Sequence, residues 1–377
     1  MKTLYLHVGT PKTATSSIQK FLQINREILE EYGYFFPKLL QKYPNVGLNR
    51  NAHFMVEVPP AKDGAERGIS ESEVLQEGME QVADAFGKYD HVILSEEGLW
   101  RASSYSRKEL FPYLKEEAGK KGYQIKIIVY LRRQDQFVIS NWNQCVKHGR
   151  AAYTITLKEY LEFIEEKKGL VLNYAAKLDQ MAEIFGKENL IVRRFEPQSW
   201  VNHSVIHDFM DSIGLTVTDD FQIPSRIVNP GLSENYAEIK RMLNEDPAFS
   251  RDDAAYLCGF LRNLSAESKK RYPCSMLSPK ETQELLNRYA ACNQRVAEEY
   301  IGDGKPLFSG EISQLPKWKK ENPYMAEDMI RFLEAVFTTL RCENQNLKQE
   351  ITSLRQDIGK KGSLLRRLVQ RMLLVTP

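Results

Sequence analysis

A short segment near the start of the chain combines a glycine, a lysine and a run of small hydroxyl residues. It reads VGTPKTATSSIQ at residues 8–19 and stands between an apolar run and a helical pattern. A turn from a strand into a helix directs free N–H groups and the positive helix end at one point, which favours a phosphate-like anion. Gly9 permits the sharp turn. The predicted anion-binding residues are Lys12, Thr13, Ala14, Thr15, Ser16 and Ser17.

The loop differs from the Walker A motif of ATP- and GTP-dependent enzymes. That motif places a glycine directly before its lysine and a hydroxyl residue directly after it. Here Pro11 stands in place of that glycine before Lys12. Thr13 follows the lysine directly, and the other hydroxyl residues begin at Thr15. Because Thr13 meets half of the requirement, a P-loop nucleotide-dependent kinase or phosphotransferase stays as a second hypothesis.

A second basic position follows another apolar run, in the segment VYLRRQDQFVISNW at residues 129–142. Arg132 stands at the end of this run, where its planar guanidinium can bind phosphate oxygens as a fork. Ser140 lies eight residues later, and its hydroxyl can reach the same anion if the chain loops back before the helix begins. Arg133 is either a further contact or a solvated surface residue. This segment therefore predicts a second phosphate site.

These residues resemble the donor-binding motifs of the sulfotransferases that use PAPS, 3′-phosphoadenosine 5′-phosphosulfate. Gly9, residues 11–13 and residues 15–17 are similar to that family's 5′-phosphosulfate loop, and Arg132 with Ser140 is similar to its 3′-phosphate motif. The resemblance covers roughly residues 1–310, and the YLRRQD phrase is typical of bacterial carbohydrate-type members. It implies a P-loop-like fold and sulfuryl transfer from PAPS to a hydroxyl of a carbohydrate or glycoconjugate, with PAP as product and no metal.

An acceptor hydroxyl is a poor nucleophile at neutral pH, so such a reaction calls for a general base. Glu97 is the first candidate, because a Ser-x-Glu sequence stands at this place in the similar bacterial enzymes and matches Ser95 and Glu97. Glu96 competes with it, since either side chain at a strand end could point inward. His53 is the other candidate, because histidine titrates in the useful range and is the base in some carbohydrate sulfotransferases. Lys12 would stabilise the leaving phosphate oxygen as charge builds.

Four short apolar runs would place these loops at one edge of a sheet. They cover residues 4–8, 92–94, 125–131 and 190–192. Helical patterns alternate with them at residues 16–31, 71–86, 134–147, 157–166 and 174–185. Such alternation predicts an α/β fold with a parallel sheet flanked by helices, in which ligands bind beyond the carboxyl ends of the strands.

The C-terminal part carries a heptad pattern. Its two apolar rows are Ile330, Phe337, Asn344, Ile351 and Ile358, and Leu333, Leu340, Leu347 and Leu354. The pattern predicts a coiled-coil helix that forms a parallel homodimer; the alternative is an amphipathic helix packed on its own domain. Residues 362–377 are basic and amphipathic, and form either a frayed or dimer-packed helix end or a peripheral contact with an anionic membrane surface. The predicted domains are a sulfotransferase domain at 1–322, a dimerisation helix at 323–361 and this tail.

The bulk composition narrows the classes of function. The 377 residues include 52 Lys and Arg against 50 Asp and Glu, so the formal charge of +2 gives no reason to propose a nucleic acid partner. Five scattered cysteines without a C-x-x-C pair argue against a zinc site and a disulfide framework, and we expect a cytoplasmic protein. A noncatalytic dimeric scaffold that keeps a nucleotide pocket is the third hypothesis.

Overall fold

A computed structural model of the chain describes residues 1–38, 49–56, 71–101, 109–147, 154–167, 171–224, 231–246, 248 and 250–373. The chain forms two compact units. The first, here called the sheet unit, consists of Met1–Val146, Ala152–Gly231 and Cys274–Trp318. The second, the helical unit, consists of Lys147–Ala151, Leu232–Pro273 and Lys319–Pro377. Residues 232–273 thus group with the C-terminal helix, and the domain boundary given above at residue 322 stays a prediction.

The sheet unit is built on a parallel sheet. In the described part of the chain it has five strands, β1 (Thr3–Gly9), β2 (Tyr34–Phe35), β3 (His91–Ser95), β4 (Gln124–Leu131) and β5 (Leu190–Arg194). Their order is β2-β3-β1-β4-β5, and each neighbouring pair is parallel. All four apolar runs are strands, so the predicted α/β fold is confirmed. The edge strand β2 was not predicted, because two residues are too few to show a periodic pattern.

Helices flank this sheet. They are α1 (Thr15–Ile24), α2 (Arg26–Glu31), α3 (Glu71–Ala85), α4 (Leu110–Lys121), α5 (Gln134–Lys147), α6 (Leu157–Lys167), α7 (Tyr174–Phe185) and α8 (Val205–Ser212). The prediction of one helix over residues 16–31 was wrong, because Asn25 separates two helices there. The Asn25 amide donates to the carbonyls of Phe21 at 2.8 Å and Gln222 at 2.9 Å, and its oxygen accepts from the Gln222 N–H at 2.8 Å.

An apolar core on one face of the sheet holds α1 in place. Ile18 and Phe21 of α1 are fully buried against strand residues such as Ile93 and Ile128. Phe209 of α8 belongs to the same cluster. Burying such side chains contributes about 1.5–3 kcal/mol each, so the start of α1 is fixed at the end of β1.

Residues 274–318 complete the sheet unit with α11 (Pro279–Arg288) and α12 (Ala290–Val296). The Arg194 guanidinium at the end of β5 binds both carboxylate oxygens of Asp303 at 2.8 Å. The buried Glu196 carboxylate accepts from the backbone N–H of Ser309 at 2.9 Å. These contacts tie a segment far along the chain to the carboxyl edge of the sheet.

The helical unit contains α9 (Glu234–Leu243), α10 (Arg251–Arg271) and the long α13 (Met325–Leu373). Asp328, near the start of α13, is fully buried and accepts hydrogen bonds from Asn235, Ser268 and Arg271. This buried carboxylate anchors α13 on its neighbours. The four residues 374–377 of the predicted tail lie outside the described residues. Over the described ranges, every helix is too short or too polar to cross a bilayer.

Candidate functional site

The loop after β1 is tied to β4 and turns sharply. The N–H and hydroxyl of Thr10 both donate to the Tyr130 carbonyl, at 2.9 and 3.1 Å. Gly9 has a φ of 100°, and Lys12 and Ala14 have φ values of 69° and 56°. Residues other than glycine rarely adopt positive φ values. A Cβ atom on Gly9 would also stand 3.4 Å from the Cα of Glu97 and 3.1 Å from the nitrogen of Pro11. Glycine therefore suits this position for both its backbone angle and the space around it.

The first turn of α1 presents donors to this loop. Ala14 precedes the helix without a capping side chain, and its carbonyl accepts from the N–H groups of Ser17 and Ile18 at 2.9 and 3.1 Å. Within the described ranges, the N–H groups of Thr15 and Ser16 have no hydrogen-bond partner. Two free donors at the positive end of a helix form the arrangement that binds anions.

The predicted hydroxyl residues divide into two groups. The Thr13 hydroxyl donates to the Thr10 carbonyl at 2.5 Å, and the Thr15 hydroxyl donates to the Glu97 carboxylate. Their protons are therefore used within the protein. Ser16 is exposed and Ser17 is half-buried. These two serines are thus the hydroxyls of the run that remain accessible to a ligand.

The side chain of Lys12 extends from the loop after β1 to α5. Its Nζ donates to the side-chain oxygen of Gln144 at 3.2 Å. Burial lowers the pKa of Lys12, and the nearby Glu97 carboxylate opposes that change while Arg132 adds to it. The ammonium group is thus close to one carboxylate and one guanidinium. Gln144 was not singled out in the sequence, although it stands one helical turn after Ser140.

Arg132 joins the end of β4 to the same loop. Its Nη1 donates to the carbonyl oxygen of Lys12 at 2.8 Å, and its guanidinium carbon lies 5.5 Å from the centre of the Phe195 ring. The Tyr174 hydroxyl fixes the backbone by donating to the Arg132 carbonyl at 2.5 Å. Burial lowers the pKa of Arg132, and its Nε is buried without a hydrogen-bond partner in the described residues. The structure therefore brings the two predicted phosphate sites together.

Ser140 lies on α5, half-buried, four residues before Gln144. Residues four apart share one face of a helix. Since Gln144 contacts Lys12, Ser140 stands on the side of α5 that turns toward the loop.

Arg133 is bound within the protein, so the prediction of a solvated surface position for it was wrong. It is buried, and its Nε and Nη2 bind the two carboxylate oxygens of Asp135 at 2.8 and 3.0 Å. Its Nη1 donates to the carbonyls of Ser309 at 3.1 Å and Glu311 at 2.5 Å. Arg133 therefore clamps the 309–311 segment to the start of α5 and is not a solvated surface residue.

Glu96 is a fully buried carboxylate within an ion-pair network. It accepts from Nε of Arg50 at 2.9 Å, Nδ1 of His53 at 3.2 Å and the N–H of Gly98 at 2.8 Å. Burial alone would raise the pKa of Glu96, but the His53 hydrogen bond and the Arg50 charge hold it below its usual value. These partners use the lone pairs that a general base would need.

Glu97 and His53, the two other candidate bases, have different surroundings. Glu97 is half-buried and accepts a hydrogen bond from the Thr15 hydroxyl. Its charge also acts to raise the pKa of the nearby Lys12. His53 is buried in a 3₁₀ turn, His53–Met55, and is bound to Glu96 through Nδ1. Through the Thr15 hydroxyl, Glu97 contacts the first turn of α1, next to the loop after β1.

A buried network of polar side chains lies at the end of β1, just before the loop. His7 in β1 lies 2.9 Å from the Ser95 hydroxyl through Nδ1, and the Gln19 amide donates to the same hydroxyl at 3.2 Å. Burial lowers the pKa of His7 to about 3, so the ring is neutral at neutral pH. This network links β1, β3 and α1 two residues before Gly9.

Comparisons with known proteins give two similarities. No family model matches the chain. It is 25% identical over 211 residues to an uncharacterized protein of Archaeoglobus fulgidus, over 55% of this chain and 55% of that protein, so it spans about half the length of the curated relative it matches. Among solved structures, a sulfotransferase from Alicyclobacillus acidocaldarius is similar, with 18% identity and a TM-score of 0.36, over 65% of this chain and 94% of that one.

Proposed function

We propose that the protein is a sulfotransferase that moves a sulfuryl group from PAPS to an acceptor hydroxyl. The observation that carries the proposal is the meeting of Lys12 and Arg132, which are joined by a 2.8 Å hydrogen bond at the carboxyl ends of two strands. PAPS has two anionic groups on one ribose, a 3′-phosphate and a 5′-phosphosulfate. Two cations held side by side match this pair of anions better than a single phosphate chain.

The residues around each cation fit the two ends of such a donor. On one side, the Lys12 ammonium and the free N–H groups of Thr15 and Ser16 would hold the 5′-phosphosulfate. On the other side, the buried Nε of Arg132, which has no partner among the described residues, would donate to the 3′-phosphate, with Ser140 on the adjoining face of α5. An orphaned guanidinium N–H is costly when buried, so a bound anion would remove that cost.

The reaction would be an in-line displacement. PAPS supplies the sulfuryl group, whose bond to the 5′-phosphate oxygen breaks as a bond forms to the acceptor oxygen. Lys12 stabilises the negative charge that builds on the leaving oxygen. Glu97 takes the acceptor proton, because its carboxylate reaches the loop at Thr15 while Glu96 is held by Arg50 and His53. His53, oriented by Glu96 through Nδ1, is the alternative base.

The acceptor class is a separate part of the proposal. The YLRRQD phrase at residues 130–135 resembles that of bacterial carbohydrate-type enzymes. We therefore place a carbohydrate or glycoconjugate hydroxyl first among the acceptors. Transfer from labelled PAPS to a panel of glycans and simple alcohols tests this choice.

Nucleotide binding distinguishes the competing hypotheses. Calorimetry should show that adenosine 3′,5′-bisphosphate binds in the presence of EDTA, and binds more tightly than adenosine 5′-monophosphate, which lacks the 3′-phosphate. Binding of ATP that depends on Mg²⁺, with no preference for the bisphosphate, would point to a phosphotransferase. Tight binding of the bisphosphate without transfer to any acceptor would point to the noncatalytic scaffold.

A further inference from the structure

One face of α13 carries an apolar stripe that the described residues of its own chain leave open. The side chains of Ile330, Phe337 and Ile358 are 64%, 68% and 69% exposed. The leucines of the second heptad row are exposed as well: Leu333, Leu340, Leu347 and Leu354. A continuous row of large exposed apolar residues marks an interaction surface.

A different face of the same helix packs on its own unit. Asp328 and Phe332 are buried, and Ala335, Val336 and Thr339 are half-buried. From Arg341 to Ile358 every side chain is exposed. The packing face therefore ends before the heptad stripe does, and the stripe lies beside it and not within it. Since most helices need tertiary packing for their stability, the outer part of α13 calls for a partner.

We propose that the stripe is a dimerisation surface and that its partner is a second copy of this chain, parallel and in register. Ile330, Phe337, Asn344, Ile351 and Ile358 take heptad position a, and the leucines take position d. Isoleucine at a with leucine at d favours two-stranded parallel coils, and a single Asn at a fixes their register. Asn344 would then meet Asn344 of the partner subunit across the dimer axis.

The charges beside the seam select the parallel orientation. Position g carries Glu343 and Glu350, and position e, five residues later, carries Lys348 and Arg355. In a parallel dimer each g residue faces the following e residue of the partner, so both pairs unite opposite charges. In an antiparallel dimer g faces g and e faces e, which would oppose Glu to Glu and base to base. Glu343 also lies 3.4 Å from the Tyr256 hydroxyl of its own chain, whereas Glu350 and Arg355 are exposed without such a contact among the described residues.

Light scattering on the full chain tests the surface. The wild-type protein should have twice the mass of one chain. Ile351→Asp with Leu354→Asp places charge in the seam and should weaken the dimer at least about 1,000-fold. The matched control, Gln349→Asp with Ser353→Asp, changes outward positions of the same turns and should leave the dimer intact. A monomeric wild type, or a dimer that the seam variant leaves unchanged, would overturn the proposal.

Charge exchange tests the pairing beside the seam. E343K/E350K sets Lys against the basic e residues of the partner, and K348E/R355E sets Glu against its acidic g residues. Each variant alone should dimerise at least about 10-fold more weakly than wild type, and an equimolar mixture should regain the wild-type affinity as a heterodimer. If both variants dimerise like wild type, these charges do not face one another and the assigned register is wrong.

Cross-linking decides the orientation, and does so whether or not the chain is an enzyme. Under a mild oxidant, Asn344→Cys should form a disulfide between two chains, because only a parallel in-register dimer brings this position against itself. The natural Cys342 is exposed and takes the outward f position, so the wild-type chain is the control that should stay uncross-linked. A stable dimer in which Asn344→Cys does not cross-link would overturn the parallel arrangement.

Discussion

The Nη1 atom of Arg132 lies 2.8 Å from the carbonyl oxygen of Lys12, so a residue at the end of β4 supports the backbone of the loop after β1. The two positions are 120 residues apart. The contact has two consequences for ligand binding. It holds the loop in a conformation with positive φ at Lys12, and it places a second cation next to the Lys12 ammonium. An anion that binds one of these residues is therefore also attracted by the positive charge of the other.

Replacing Arg132 should weaken binding of one nucleotide in particular. In Arg132→Ala, the affinity for adenosine 3′,5′-bisphosphate should fall about 10- to 100-fold, the effect of losing a hydrogen bond to a charged group. Adenosine 5′-monophosphate lacks the 3′-phosphate and should lose less. Calorimetry with both nucleotides measures the difference. Equal losses would mean that Arg132 serves only to hold the loop.

Lys12 should act mainly on turnover. In the proposed mechanism Lys12→Ala removes the charge that stabilises the leaving oxygen, so kcat for sulfuryl transfer should fall about 100- to 1,000-fold. Lys20→Ala is the matched control, because Lys20 is an exposed lysine on α1 whose ammonium group hydrogen-bonds only to Gln23 among the described residues. Steady-state assays with labelled PAPS compare them. Normal turnover in Lys12→Ala would contradict the mechanism.

The two neighbouring glutamates should respond in opposite ways to the same substitution. Glu97→Gln should lower kcat about 100- to 10,000-fold and leave the melting temperature near that of wild type, since it removes the proposed base. Glu96→Gln leaves Arg50 without its buried charge partner and should lower the free energy of unfolding by about 3 kcal/mol. Thermal melts and rate assays on both variants separate the roles. If Glu97→Gln keeps full activity, His53 becomes the base to test.

His7 should make the stability of the protein depend on pH. Its pKa is about 3 in the fold and 6.5 in an ordinary setting, so between these values the unfolded chain binds a proton that the folded chain does not. Well above pH 6.5 the ring is neutral in both states, and His7 does not lower the free energy of unfolding. As the pH falls below 6.5, protonation of His7 in the unfolded chain lowers that free energy. Between about pH 7.5 and 5.5, the wild type should lose about 1.4 kcal/mol more than His7→Asn in denaturant unfolding. Identical pH profiles would show that His7 is not buried as described.

The parts of the site that lie within one stretch of sequence were predictable. The loop from Gly9 to Ser17 contains its own turn, its lysine and its helix start, and the strands flanking it are apolar runs of ordinary length. Alternation of strands and helices then sets the edge at which the loops meet. The closeness of Lys12 and Arg132 follows from that topology, because β1 and β4 are neighbours in the sheet.

The parts that depend on distant partners were not predictable. The break at Asn25 is made by hydrogen bonds with Gln222, which lies 197 residues further along the chain. Arg133 is buried because the carbonyls of Ser309 and Glu311 accept hydrogen bonds from it, and no local sequence pattern indicates these distant partners. The position of Glu96 inside the fold likewise depends on Arg50, which precedes it by 46 residues. Local patterns describe elements, while such contacts depend on the finished topology.

The interleaving of the two units has a consequence for synthesis on the ribosome. The sheet unit is completed by residues 274–318, which emerge only after α9 and α10 of the helical unit have been made. Until then, Arg133 and Glu196 of a nascent chain have no partners at residues 309–311. The clamp on the carboxyl edge of the sheet is therefore among the last parts of this unit to form, and the candidate site at that edge is completed late in translation.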